Sequence, residues 1–350
     1  MRFELLTSTP LSATEGSGTF VAIDGLVRGL ERLGHSVRVR PLTARTGFHT
    51  FDRWLYNARV ALAPPMADVT VGVDLDGFLW ARRRRGPFVV MLKGIIADEL
   101  RNERGLVRAL LSVQAGWERS NTKRADRVIV PSRYSASVAR EVYDVPPAKL
   151  AVVPEPIDLA DWRRRFAAAG GVRAARPTVL SVARMYPRKR LDDLLRAAAL
   201  LHGRIPEAQV RIVGDGPESA RLRALHRELE LGDSVVLLGE VTRQKLAVEY
   251  VSAHCFCLPT VQEGFGLVFA EAMAAGLPVV ACRAAAVPEI VDDRSTGVLV
   301  TPRSPGELAT ALETLLTSTK LREELGEAAA RRVEAFDLEP VARQFLEALP

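Results

Sequence analysis

The feature that most constrains this 350-residue chain is an alternation of short apolar runs with longer amphipathic stretches, and the alternation occurs twice along its length. Strands of a parallel sheet are covered on both faces, so they read as unbroken apolar runs of about 4–8 residues, each joined to the next by a crossover helix. In the first half such runs stand at 2–6 (RFELL), 36–40 (SVRVR), 69–73 (VTVGV), 88–92 (FVVML), 127–130 (RVIV) and 150–153 (LAVV), with a helix expected over 18–33. In the second they stand at 178–182 (TVLSV), 210–213 (VRIV), 235–238 (VVLL), 255–258 (CFCL), 279–282 (VVAC) and 298–300 (VLV). The pattern predicts an α/β protein of two Rossmann-like doubly wound parallel-sheet domains facing a central cleft. Boundaries are expected at 1–157 and 177–333. A linker is expected over 158–176, where Pro154, Pro156, Gly170, Gly171 and Pro177 cluster. A C-terminal helix over 334–350 is expected to pack back on the first domain.

Hydrophobic residues make up 48% of the chain and charged residues 26%, which is ordinary for a globular protein long enough for two cores. No apolar run reaches the roughly 18 residues of a membrane span, and MRFELLTSTP lacks the basic start and apolar core of a signal peptide. A cytoplasmic location is therefore expected. Cys255, Cys257 and Cys282 have no partners at zinc spacing and read as buried thiols. The net charge of +6 is unevenly placed: residues 1–160 hold 23 Lys and Arg against 17 Asp and Glu, and the remainder is balanced. Arg82 to Arg85 form a basic run. A helix from Glu103 to Arg124 mixes Leu106, Leu110, Leu111 and Trp117 with Arg104, Arg108, Arg119, Lys123 and Arg124. Two readings stand for this half: peripheral contact with anionic lipid on the inner membrane face or an acidic acceptor, and a solvated arginine-rich surface. Nucleic acid is not among the expected partners.

Chemistry concentrates in PTVQEGFGLVFAEAMAAGLPVV, residues 259–280. The segment reads strand, loop, helix, strand. Pro259 ends a strand, Gly264 and Gly266 free the loop backbone, 269–275 is helical, and Gly276 with Pro278 stops the helix. Glu263 then sits on the loop and Glu271 in the early turns of the helix. Carboxylates there can each accept two hydroxyl hydrogen bonds, which suits sugar and ribose diols, while unpaired helix N-terminal amides suit a phosphate. Taken as an isolated pair, Glu271 would be a buried helix residue and Glu263 a loop charge; the whole 22-residue pattern favours the site. Three further segments join it: SVARMYPRKRLDDLLRAAALL at 181–201, VRIVGDGPESARL at 210–222 and ATEGSGTFVAIDGLVRGLERLGHSVRVR at 13–40.

Together these segments resemble the GT-B retaining glycosyltransferases of family 4, and the likeness covers essentially the whole chain, strongly from about 128 to 300 and weakly between 41 and 125. The resemblance implies that Glu263 contacts the donor sugar and that Glu271 holds the ribose of the nucleotide. Backbone groups of Gly264, Phe265, Gly266 and Leu267 would meet the sugar hydroxyls and the diphosphate. Arg184 and Lys189 would project from a strand end toward the diphosphate, where two fixed cations stabilise the charge that grows on the leaving group without a metal. Gly214 and Gly216 would lie beside the nucleotide. Gly16 and Gly18 would donate to the donor phosphate, with Glu15 where many members carry another glycine. One departure stands out: Lys93 and Gly94 follow FVVML where many members have a His, so Lys93 is expected as a cation near the sugar or diphosphate. Asp74 and Asp76 either face the acceptor or end a strand.

The implied activity is transfer of a hexose-type sugar, with retention by front-face attack, from a nucleotide diphosphate sugar, UDP-linked first and GDP-mannose next. The C-terminal domain is the expected donor side and the N-terminal domain the acceptor side. The acceptor is open among lipid, polysaccharide and small metabolite. No cofactor or metal is expected. A nicotinamide dehydrogenase is excluded because GSGTFV does not complete G-x-G-x-x-G after the first strand. A GT-B phosphorylase or epimerase shares the fold and differs by substrate. A non-catalytic sugar-nucleotide binding protein would be expected to lack Arg184, Lys189 or Glu263, and all three are present.

Overall fold

The computed structural model describes residues 1–10, 17–43, 45–102 and 105–350. The chain forms two units, Met1–Ile157 with Phe336–Pro350, and Asp158–Ala335. In chain order the first unit begins β1 (Arg2–Thr7), α1 (Ser17–Arg32), β2 (Ser36–Pro41), α2 (His49–Leu62), β3 (Val69–Val73) and β4 (Phe88–Met91). It continues α3 (Ile96–Glu99), α4 (Gly105–Arg124), β5 (Arg127–Val130), α5 (Arg133–Tyr143) and β6 (Leu150–Val152). Its strands form one parallel sheet in the order β2-β1-β3-β4-β5-β6. Every residue of β3 and β4 is buried, as strands covered on both faces require. Glu15 and Gly16, like Glu103 and Arg104, lie outside the described residues. Gly18 falls in the first turn of α1.

Residues 158–176, expected as a linker, are helical over Leu159–Ala168 (α6). Asp158 caps that helix, its side chain accepting from the Asp161 amide at 2.9 Å, and Leu159 and Trp162 are buried. Trp162 stacks on Phe166 and meets Tyr250 edge-on, which ties α6 into the second unit. The prolines and glycines that suggested a linker flank this helix on both sides.

The second unit continues β7 (Thr178–Val182), α7 (Leu191–His202), β8 (Gln209–Val213), α8 (Ser219–Glu228), β9 (Val235–Gly239), α9 (Arg243–Ser252) and β10 (Cys255–Leu258). It ends α10 (Leu267–Ala274), β11 (Val279–Cys282), α11 (Val287–Ile290), β12 (Gly297–Val300), α12 (Pro305–Thr317) and α13 (Thr319–Arg332). Its parallel sheet runs β12-β11-β10-β7-β8-β9. The three cysteines are buried thiols in β10 and β11. The chain then returns to the first unit through α14 (Leu338–Glu347). Phe345 of α14 packs edge-on against Phe3 of β1 with ring centres 6.0 Å apart, and Val341 and Ala342 share that core with Ile23 and Leu26 of α1. The two helices approach so closely that a Cβ at Gly29 would stand 2.5 Å from the Leu338 carbonyl oxygen.

Candidate functional site

Doubly wound sheets bind ligands at the carboxyl ends of the strands where the strand order reverses. In the second unit that point lies between β10 and β7, with β8 next along the sheet. The loops leaving these three adjacent strands carry the residues singled out in the sequence, and backbone contacts tie them together. After β7, the Met185 amide donates to the Asp215 carbonyl at 2.9 Å, and the Glu218 amide to the Met185 carbonyl at 2.9 Å. The glycines after β8 exist for this closeness. A Cβ at Gly214, whose φ is 120°, would fall 2.0 Å from the Ala183 oxygen, and one at Gly216 would fall 2.8 Å from the Met185 nitrogen. They approach the neighbouring loop, a demand that holds without any nucleotide. Asp215 accepts from the Gly216 amide and from Ser219, and the Ser219 hydrogen bond leads in holding its carboxyl below the usual range.

The loop after β10 is held to the loop after β7 by two bonds to one carbonyl. The Val261 amide and the Thr260 hydroxyl donate to the Arg188 oxygen at 3.0 and 3.2 Å. That junction sets Lys189 against Glu263: Lys189 Nζ donates to Glu263 Oε1 in an ion pair that is mostly shielded from solvent. Lys189 closes a short helical turn, Pro187–Lys189, and Arg190 follows with φ 53°. Nε and Nη2 of Arg190 donate to the two carboxylate oxygens of Asp193, at 2.9 and 2.8 Å. Arg190 is therefore a structural clamp for the Lys189 turn, and the Arg190-x-x-Asp193 spacing was the signal for it. Arg184 is exposed, has no ion-pair partner among the described residues, and stands 5.9 Å from the centre of the Tyr186 ring. The guanidinium of Arg188 lies 4.7 Å from the same ring.

Gly266 caps α10 with φ 96°, and a Cβ there would press to 2.7 Å from the Phe269 ring. Only glycine fits both the left-handed backbone and the ring beneath it. Gly264 and Gly266 flank buried Phe265, and Leu267 opens the helix. Glu271, in the second turn, accepts from the Tyr250 hydroxyl at 2.8 Å. Burial pushes its carboxyl up to about 7, with the Tyr250 hydrogen bond and Arg243 opposing. Tyr250 was not singled out in the sequence; nothing local marks a tyrosine of α9 as the partner of a carboxylate on α10.

Lys93, in the first unit, follows β4. Its Nζ pairs with Glu155 Oε2 at 2.5 Å with both side chains nearly buried, so the expected cation already has a counter-charge. Its amide donates to Asp74 Oδ1 at 2.7 Å. Asp74 has φ 52°, and burial raises its carboxyl to about 6 against Arg53 and the Lys93 amide. Asp76 is different: fully buried, it accepts from the Ser8 amide and hydroxyl and from Asn57, so it fastens the turn after β3 to the end of β1 and to α2. Among the described residues no group of three or more His, Cys, Asp and Glu stands ready to hold a metal ion.

Two Rossmann-like doubly wound units in one chain are the GT-B architecture of glycosyltransferases. The fold likeness covers 99% of this chain and 97% of the sucrose-phosphate synthase of Thermosynechococcus elongatus, with a TM-score of 0.79 at 22% identity. Residues 163–332 match the family model for glycosyl transferases group 1, and residues 69–161 match that for glycosyltransferase family 4. The chain belongs to this family of group 1 glycosyl transferases. It is 35% identical over 230 residues to D-inositol 3-phosphate glycosyltransferase 2 of Catenulispora acidiphila, covering 61% of this chain and 53% of that protein. It is 35% identical over 170 residues to the GDP-mannose-dependent alpha-(1-6)-phosphatidylinositol monomannoside mannosyltransferase of Mycobacterium tuberculosis, covering 47% and 43%. The chain thus spans about half the length of these curated relatives.

Proposed function

We propose that the protein is a retaining, metal-independent glycosyltransferase that moves a hexose-type sugar from a nucleotide diphosphate sugar, with the second unit holding the donor and the first receiving the acceptor. The observation that carries this reading is the Lys189–Glu263 ion pair between the loops that leave β7 and β10 at the strand-order reversal of the second sheet, with exposed Arg184 on the same β7 loop. Glu271 presents a carboxylate for the ribose diol one helix away. On donor binding, Lys189 exchanges its bond to Glu263 for a diphosphate oxygen, and Glu263 is released to accept from sugar hydroxyls. The bond from the anomeric carbon to the β-phosphate oxygen breaks with its electron pair going to that oxygen, whose growing charge Arg184 and Lys189 stabilise. The acceptor hydroxyl oxygen bonds to the anomeric carbon on the same face, and its proton passes to the departing phosphate. Gly18, at the start of α1, is the described part of the phosphate-donating loop.

UDP-sugars are the first donors to test and GDP-mannose the next, since a relative named above depends on GDP-mannose. D-inositol 3-phosphate and phosphatidylinositol monomannoside, which appear in the names of the relatives, are the first acceptors to test. A cytoplasmic protein meeting anionic membrane through its basic first unit is the reading of location that these acceptors favour. Thermal shift with UDP-glucose, UDP-N-acetylglucosamine and GDP-mannose should single out one donor, because ligand at 100 times its Kd stabilises by about 2.7 kcal/mol. Lys189→Met should then lower turnover of that donor by about 100-fold, the cost of one oxyanion donor, with a smaller loss of binding. Arg184→Lys should also be damaging, since an ammonium cannot bridge two phosphate oxygens. A folded, donor-binding pair of variants with normal turnover overturns the reading.

A further inference from the structure

The first unit contains a buried carboxyl group that the proposed reaction does not use. We propose that Glu118 on α4 is a neutral carboxylic acid at neutral pH whose Oε1 proton is donated to Asn121 Oδ1, and that this pair is the positioning element for the loops leaving β3 and β4. The functional weight of those loops rests on the reading above, in which the first unit receives the acceptor.

Glu118 and Asn121 are both fully buried and lie three residues apart, on one face of α4. Glu118 Oε2 is well supplied, accepting from the Ile96 amide at 2.9 Å and from the Tyr143 hydroxyl. Asn121 spends both amide hydrogens on the carbonyls of Asp74 and Asp76, at 2.9 and 3.1 Å. What remains is one oxygen on each side chain, Glu118 Oε1 and Asn121 Oδ1, both buried and both without a donor. Two orphaned acceptors three residues apart on one buried helix face are costly, and a buried carboxylate charge is costlier still. A single proton on Oε1 removes all three penalties.

The surroundings agree. Glu118 is faced by Asp74 from the turn after β3, by Arg53 from α2, by Tyr143 from α5 and by the Ile96 amide from α3. Asp76 stands in the same cluster, committed to Ser8 and Asn57, and Arg53 is already engaged with Gln114 Oε1 at 2.9 Å. Burial first, and then the Asp74 charge, push the Glu118 carboxyl well above its usual range, while Tyr143, the Ile96 amide and Arg53 oppose. The pair reaches both loops. Asn121 holds the 74–77 turn, which folds so tightly over β3 that a Cβ at Gly72 would lie 2.1 Å from the Asp76 oxygen. Glu118 holds Ile96, three residues beyond Lys93, whose own amide bonds Asp74.

The test compares the full-length wild type with Glu118→Gln and Glu118→Leu. In the infrared difference between wild type and Glu118→Gln, a protonated-carboxyl C=O stretch should be present at neutral pH and assigned to Glu118. The glutamine amide can donate to Asn121 while its oxygen accepts from Tyr143 and Ile96, so Gln should keep wild-type hydrogen-exchange protection at Asp76, Lys93 and Ile96. Leu, which leaves Asn121 Oδ1 and the two donors unpaired, should lower protection there by about tenfold. With a folded pKa raised above the unfolded one, the wild-type protection is complete in acid and falls as pH rises through the folded pKa, and the Gln variant keeps only the part of the fall that Asp74 contributes near 6. A carboxylate signature at neutral pH, or loss of protection in Gln equal to that in Leu, overturns the proposal. Should Leu fail to fold, the infrared band and the Gln pH profile still decide it. Neither measurement needs a donor or acceptor, so the outcome is separate from that of the glycosyltransferase reading.

Discussion

Glu271 illustrates how one side chain can report on a whole reaction. Its carboxyl titrates near 7, so the folded protein keeps a proton there that the unfolded chain loses near the usual 4.5. The unliganded protein therefore loses this contribution to stability as pH rises through that window. A ribose diol reverses the preference, because its two hydroxyls donate to the ionised form. Affinity for UDP-glucose or GDP-mannose, whose phosphates do not titrate near neutrality, should tighten by about tenfold between pH 6 and pH 8. Isothermal titration across that range checks it, and Glu271→Gln should bind weakly with no pH dependence; a flat wild-type profile removes Glu271 from the ribose site. The candidate site residues were singled out through the family resemblance, in which Arg184 with Lys189 and Glu263 with Glu271 each stand within a single segment. Their partners were not. Tyr250 meets Glu271 across 21 positions and Glu155 meets Lys93 across 62, and contacts made by tertiary folding leave no local pattern.

Among the elements, the strands were the most readable part. Runs such as VTVGV and FVVML are buried on both faces and stop at glycine, proline or charge, so β3 and β4 stand where the sequence placed them. The segment 158–176 was misread because punctuation at its ends outweighed the helical pattern between, in which Asp158 caps and Leu159 and Trp162 bury. The turn after β8 was read as an approach to nucleotide, and the structure supplies a nearer cause in the Ala183 and Met185 backbone. Gly214→Ala should accordingly destabilise the protein even without ligand. A Cβ placed 2.0 Å from a backbone oxygen, at φ 120°, forces the β7 and β8 loops apart. The cost should be on the order of 1–3 kcal/mol for the backbone conformation alone, read as a lowered midpoint in urea. Donor affinity should fall further than stability, because the Arg184 loop is one side of that contact. Unchanged stability would mean that the two loops can separate freely.

At the scale of the whole chain, the uneven charge acquires a surface. Arg84 of the basic run is committed to Asp126 at 2.6 Å, so that run is partly structural. The exposed apolar residues lie elsewhere. On α2 and its cap, Phe48, Phe51, Trp54 and Leu62 are exposed, with Phe51 stacked on Trp54 at 6.1 Å. On α4, the first turns expose Leu106 and Val107 beside Arg108. The two helices are joined through Gln114, which bonds Arg53 and Thr50. The carboxylates these helices carry, Asp52 and Glu118, are both buried, so neither helix shows an anionic side chain to solvent. No helix among the described residues is long and apolar enough to cross a membrane, and a face of this kind suits the headgroup boundary of an anionic bilayer. Each Lys or Arg near such a surface contributes about 1 kcal/mol, within a Debye length of about 10 Å at 0.1 M salt. Sedimentation with phosphatidylserine-containing vesicles should therefore be strong at low salt and fall steeply as salt rises. Phe51→Ser with Trp54→Ser should weaken what remains at high salt while leaving donor binding in the second unit intact. Equal binding to neutral and anionic vesicles would assign the affinity to the aromatic residues alone. No binding at low salt would return the arginines of the first unit to a solvated surface and leave a soluble acceptor as the substrate to seek.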